Sequence, residues 1–107
     1  ENNLKISINI DEEVEDYSPE FKNLIYTIIK ESITNSIKHG KCSEINIDLK
    51  IGEEIILRIK DNGIGCSEII KGNGLTGIEE RVDKFQGNII YRTEKSQGFE
   101  SIIIWEK

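Results

Sequence analysis

The hydrophobic pattern changes period several times along the chain, and each change marks an element. Leu4, Ile6, Ile8 and Ile10 alternate with Lys5, Ser7 and Asn9, the two-residue period of a half-buried strand. An acidic loop, DEEVED over 11–16, follows. Ser18-Pro19-Glu20 then reads as a helix start: a side-chain cap, a proline at the first helical position and an acid in the first turn. From there Phe21, Leu24, Ile25, Ile28, Ile29, Ile33 and Ile37 recur at three- and four-residue steps. Ser32 and Ser36 complete that stripe with small residues, and Gly40 is placed to end this long amphipathic helix.

Ile45, Ile47 and Leu49 alternate, Gly52 turns the chain, and Ile55, Leu57 and Ile59 alternate again, which predicts a hairpin. A glycine-rich stretch covers 61–74. Leu75, Ile78, Val82 and Phe85 form a second helical stripe, closed by Gly87. Two final strands, 88–93 and 99–106, pair around Ser96-Gln97-Gly98. Hairpins rather than regular crossovers predict an α/β (α+β) two-layer sandwich. Its sheet is mixed, mainly antiparallel and five-stranded, with helices on one face.

Composition narrows the class. A chain of 107 residues has room for one domain, 1–107, with one modest core. Hydrophobic content of 36% with 32% charged residues suits a folded globular domain rather than a disordered segment. No apolar run approaches membrane-spanning length, and no secretory signal is visible. Cys42, Cys66 and the single histidine, His39, are too few and too scattered for a zinc site or a disulfide framework, so a reducing cytoplasm is expected. The net charge of −6 argues against nucleic-acid binding and requires any anionic ligand to find a local positive site. Glu1 stands where an initiator methionine would, so a piece of a larger protein is expected.

Three short motifs carry the candidate chemistry: ESITNSIKHG (31–40), DNGIG (61–65) and GNGLTG (72–77). Glu31, Asn35 and Lys38 lie at i, i+4 and i+7 and so share one helix stripe, beside the apolar face. The Asn35 carbonyl suits Mg²⁺, which prefers few protein ligands beside phosphate oxygens. Lys38 is a cation within reach of phosphates, and Glu31 could orient or deprotonate a water or hydroxyl. The bland alternative is a solvated helix edge. In the second motif Asp61 can accept a hydrogen bond from the exocyclic amine of adenine, with Gly63 and Gly65 letting backbone approach a flat base. Its bland alternative is an Asn-Gly hairpin turn, although Cys66 to Lys71 does not alternate as a returning strand should. The third motif matches G-x-G-x-x-G, but no strand immediately precedes it, so a dinucleotide fold is not indicated. Glycines opening a helix still expose backbone N–H groups that can meet phosphate oxygens. A plain surface loop is the alternative.

The ordered set resembles the ATP-binding (Bergerat, GHKL) fold shared by gyrase, a heat-shock chaperone, mismatch-repair MutL and sensor histidine kinases. ESITNSIKHG is similar to the N box, DNGIGC to the first glycine box and GNGLTGIEERV to the second. The short segment between the glycine boxes and the GIEERV ending look most like histidine kinases that partner helix-turn-helix response regulators. The resemblance implies ATP and Mg²⁺ as cofactors, with Glu31 and Asn35 as the catalytic residues. Asn35 would bind Mg²⁺, while Lys38 and His39 would contact the phosphate or ribose region. Asp61 would bind adenine N6, with Gly63 and Gly65 shaping the pocket. Gly72, Gly74, Leu75 and Gly77 would form the lid and the helix start that follows it. It further implies the catalytic part of a kinase, monomeric in isolation and cytoplasmic, as in a membrane-bound sensor. The phosphoacceptor histidine would sit on a separate dimerisation domain, and a response regulator would be reached indirectly. An anti-sigma-type serine kinase and a non-catalytic nucleotide-binding module on the same fold are the alternatives. The GIEERV ending counts against the first, and intact Asn35, Lys38 and Asp61 count against the second.

Overall fold

A computed structural model describes residues 4–37, 43–63, 75–94 and 98–106. In chain order they form β1 (Lys5–Ile10), a 3₁₀ turn (Glu12–Asp16), α1 (Pro19–Asn35), β2 (Glu44–Ile51), β3 (Glu54–Asp61), α2 (Leu75–Lys84), β4 (Asn88–Glu94) and β5 (Gly98–Glu106). The five strands make one sheet in the order β1-β2-β3-β5-β4. β1 and β2 run parallel, so α1 is the crossover that a parallel pair requires, and the other three pairings are antiparallel. This is the mixed α/β sandwich expected from the hydropathy pattern.

Local signals explain the elements. The Ser18 side chain accepts the Phe21 N–H at 3.1 Å, and Pro19 opens α1 where its missing N–H costs nothing. The buried face of α1 (Phe21, Leu24, Ile25, Ile28, Ile29) joins Ile78 and Val82 of α2 against the inward residues of the sheet. In β2 those are Ile45, Ile47, Leu49 and Ile51, in β3 Ile55, Leu57 and Ile59, and in β5 Ile103 and Trp105. Phe21 stacks edge-on against Trp105 and Phe85 at centroid distances of 5.1 and 6.0 Å, which anchors both helices at one end of the sheet. Among the described residues no helix is long and apolar enough to cross a membrane.

Three expectations need correction. The acidic stretch 11–16 is not a plain loop. Asp11 accepts N–H groups from Glu13 and Ile51, both at 3.0 Å, and the 3₁₀ turn between them buries Val14. β1 is less covered than its alternation suggests: Ile6 and Ile8 are 40% and 54% exposed, because the strand lies at the sheet edge and only Leu4 and Ile10 pack on the core. Finally, the left-handed residue that ends α2 is Gln86 (φ 61°), not Gly87. The Gln86 N–H reaches the Asp83 carbonyl at 2.9 Å and the Gly87 N–H reaches that of Val82 at 2.9 Å, the bond pair of a Schellman cap. Gly87 is small for another reason: a Cβ there would lie 2.5 Å from the Trp105 indole nitrogen.

Candidate functional site

The two-residue phase of β3 buries Ile55, Leu57 and Ile59, and the next residue in that phase is Asp61. The strand thus delivers a carboxylate into the layer beneath α1, where Asp61 is 3% exposed. A buried carboxylate needs hydrogen-bond donors. The Ser36 hydroxyl donates to Oδ2 at 2.8 Å, and the Gly63 N–H donates to Oδ1 at 2.9 Å. A carboxylate offers about four lone-pair positions, so each oxygen keeps capacity for an incoming donor.

The main chain around Asp61 is held from both sides. Asp61 pairs with Ile45 of β2 and Phe99 of β5. Asn62 clamps the start of β2: its N–H reaches the Glu44 carbonyl at 3.1 Å, and its side-chain oxygen accepts the N–H groups of Ser43 and Glu44, both at 2.9 Å. The Asn-Gly hairpin alternative fails here, since β2 and β5 already occupy both edges of β3 and leave no place for a returning strand. Gly98 opens β5 with φ of 97°, and a Cβ on it would lie 2.1 Å from the Asp61 carbonyl oxygen.

The other wall is the end of α1. The helix widens into π geometry at Ser36 and Ile37, a distortion that often accompanies function. Ser36 is buried at 8% exposure. The Asn35 amide nitrogen is buried and has no hydrogen-bond partner among the described residues. An orphaned buried polar atom costs about 1–3 kcal/mol, so its retention fits a group that meets a ligand. A half-turn of the amide presents the carbonyl oxygen instead, which is the donor Mg²⁺ takes.

Glu31 is engaged by α2. Arg81 donates to its two oxygens at 3.3 and 3.2 Å, in a half-exposed pair that ties the two helices together. A second tie runs from α2 to β4, where the Tyr91 hydroxyl donates to Glu79 at 3.0 Å. Burial first, and then the hydrogen bond and charge of Glu79, hold the Tyr91 phenol protonated well above its ordinary range.

Of the residues singled out in the sequence, Asp61 and Gly63 are joined by a hydrogen bond, and Asn35 directly precedes Ser36, the α1 residue bonded to Asp61. Glu31 stands one turn before Asn35 on α1. Leu75 and Gly77 lie in the first turn of α2, while Lys38, His39, Gly40, Gly65, Gly72 and Gly74 fall outside the described residues. Sequence reasoning missed Ser36, Asn62, Arg81 and Gly98. Ser36 carried a usable signal: a polar side chain on an apolar helix stripe must find a buried partner. Gly98 carried none beyond its place in a turn, because its constraint is a main chain distant in sequence.

Similarity to known proteins agrees with this fold. The profile of the family described as histidine kinase-, DNA gyrase B-, and HSP90-like ATPase matches residues 21–106. The signal transduction histidine-protein kinase/phosphatase DegS of Bacillus subtilis is 33% identical over 95 residues, covering 80% of this chain and 25% of DegS. The sensor histidine kinase ComP of the same organism is 33% identical over 85 residues, covering 74% of this chain and 11% of ComP. The chain therefore spans a quarter or less of these two relatives. A blue-light activated histidine kinase of Erythrobacter litoralis superposes with a TM-score of 0.84 at 17% identity, over 99% of this chain and 36% of that one. The histidine kinase AdeS of Acinetobacter baumannii superposes at 0.74 with 19% identity, over 98% and 55% of the two chains. Across residues 21–106, then, the chain belongs to the histidine kinase-, DNA gyrase B- and HSP90-like ATPase family, as a histidine kinase-type ATPase domain.

Proposed function

We propose that this domain binds ATP with Mg²⁺ and passes the γ-phosphoryl group to a histidine on a separate dimerisation domain, in two-component signalling. The carrying observation is the buried Asp61 carboxylate, held by Ser36 and Gly63 with acceptor capacity to spare. Such a group suits the exocyclic amine of adenine and disfavours the carbonyl that guanine presents at the same position. Asn35, one residue before Ser36, would hold the metal. Lys38 and His39 would face the phosphate or ribose region, Gly63 and Gly65 would shape the base pocket, and Gly72, Gly74, Leu75 and Gly77 would form the lid and the helix start that follows it. Mg²⁺, when bound, neutralises charge on the phosphates. The chain itself contributes mostly positioning of the γ-phosphoryl group. Glu31, one turn before Asn35 and paired with Arg81, would orient an attacking group. A helix-turn-helix response regulator would receive the phosphoryl group indirectly.

Calorimetric titration tests the nucleotide reading. The domain should prefer ATP to GTP, and Asp61→Asn should weaken ATP binding by about 10- to 100-fold, the loss expected for one charge-assisted hydrogen bond. Equal binding by that variant would sink the adenine assignment. Transfer is read separately, as acid-labile phosphate on an added dimerisation fragment; its appearance on His39 instead would overturn the assignment of the acceptor.

A further inference from the structure

The geometry points to Ser36 as a positioning residue that sets base selectivity by holding the Asp61 carboxylate in one orientation. The inference rests on the nucleotide reading above and deepens it. Serine is a weak helix former, because its hydroxyl competes for nearby backbone groups. Thr34, two residues earlier on α1, spends its hydroxyl in that way, on the Lys30 carbonyl at 3.0 Å. Ser36 has a single hydroxyl proton and directs it across the layer to Asp61 Oδ2 at 2.8 Å. Both residues are buried, at 8% and 3% exposure, so water is poorly placed to substitute for the bond.

The bond also spans two elements. Ser36 belongs to the π-widened end of α1, and Asp61 ends β3. Gly63 fixes the other carboxylate oxygen from the strand's own continuation. With both oxygens held, the plane of the carboxylate and its free lone pairs are set before any base arrives. With Ser36 removed, one oxygen is left unpaired and the carboxylate is free to turn about its last torsion. The shape of the site is kept, but the acceptor is no longer aimed.

Two nucleotides separate this role from plain packing: ATP, and purine riboside triphosphate, which lacks the 6-amino group. Ser36→Ala should lower ATP affinity by about tenfold while changing affinity for the analogue by less than about twofold. Ser36→Thr, which keeps a hydroxyl, should restore ATP binding. The ratio of the two affinities is the readout, because a loss of folded protein moves both alike. Equal losses for both nucleotides would make Ser36 a packing residue and overturn the inference. So would unchanged ATP affinity in Ser36→Ala while Asp61→Asn still loses it, with the nucleotide reading left standing. Absence of ATP binding in the parent chain would remove both.

Discussion

Gly98→Ala is the sharpest perturbation of the site that leaves every polar group in place. Gly98 opens β5 with φ of 97°, where an L-residue is strained by about 1–3 kcal/mol. Its Cβ would lie 2.1 Å from the Asp61 carbonyl oxygen and 3.2 Å from the carbonyl carbon. Those atoms are main chain, in a strand paired on both sides, so no rotamer change relieves the contact. The backbone must retreat by well over ~1 Å to reach ordinary van der Waals separation. Strain and displacement together should cost about 2–4 kcal/mol, or at least about 8 °C in melting temperature for a domain of this size.

Because the displaced backbone carries Asp61, ATP affinity should fall too, by about tenfold or more, the loss expected when one charge-assisted hydrogen bond is misaligned. Gly87→Ala is the control. Its Cβ would meet Trp105 and Val82 side chains at 2.5 to 2.9 Å, an overpacking worth about 1–3 kcal/mol. Trp105 pairs with Ile55, which is six residues along β3 from Asp61, so about 20 Å separates the two ends. Gly87→Ala should therefore lose stability and keep ATP affinity. Thermal melts and calorimetric titration at a temperature where all variants are folded give both quantities. A Gly98→Ala protein that melts lower yet binds ATP as the parent does would refute the claim that β5 holds Asp61 in place.

Asn35→Leu should melt at or above the parent temperature without ligand, because it removes a buried unpartnered amide, and should lose Mg²⁺-dependent nucleotide binding. A lower melting temperature with intact Mg²⁺ dependence would contradict both halves. For Tyr91, folding raises the phenol above its ordinary value of 10.0. Its contribution to stability is thus complete below that pH and declines as pH rises beyond it. Tyr91→Phe should flatten the alkaline loss of stability between about pH 10 and 11; the same fall of urea-measured stability with pH in both proteins would refute the raised phenol.

What the sequence makes legible follows from how local each signal is. The Ser18 cap, the Pro19 start, the α1 stripe and the alternation in β2 and β3 depend on neighbours a few residues away, and all correspond to the observed elements. Alternation names a face of a strand but not what covers it, which is why the exposure of Ile6 and Ile8 was hidden. Val14 is the lone apolar residue in an acidic run, and its burial depends on packing that its neighbours do not announce. Gly87 marked the end of α2 correctly but for the wrong reason, since its constraint is Trp105, eighteen positions later. For the candidate site, motif spacing singled out Asn35 and Asp61, and the structure buries the Asp61 carboxylate and the Asn35 amide nitrogen. Ser36 read as a small packing residue because the apolar stripe around it dominates.

The site stands where two local rules break in the same place. The inward phase of β3 runs Ile55, Leu57, Ile59 and then ends in an acid. The buried stripe of α1 runs through Ile25, Ile28 and Ile29 and then ends in Ser32, Asn35 and Ser36 as the helix widens. Each departure lowers stability locally, and both fall at the end of the sheet away from the aromatic anchor of Phe21, Phe85 and Trp105. Such clustering is expected where function rather than folding selects the residues. It has an energetic consequence. An orphaned Asn35 nitrogen and spare acceptor positions on Asp61 are deficits in the free domain that a ligand can fill. A ligand filling both binds the folded state alone, so it stabilises the fold by RT ln(1 + [L]/Kd), about 2.7 kcal/mol at a hundredfold excess over Kd. On the proposed reading, nucleotide would give the polar end of β3 the stability that its apolar end draws from packing.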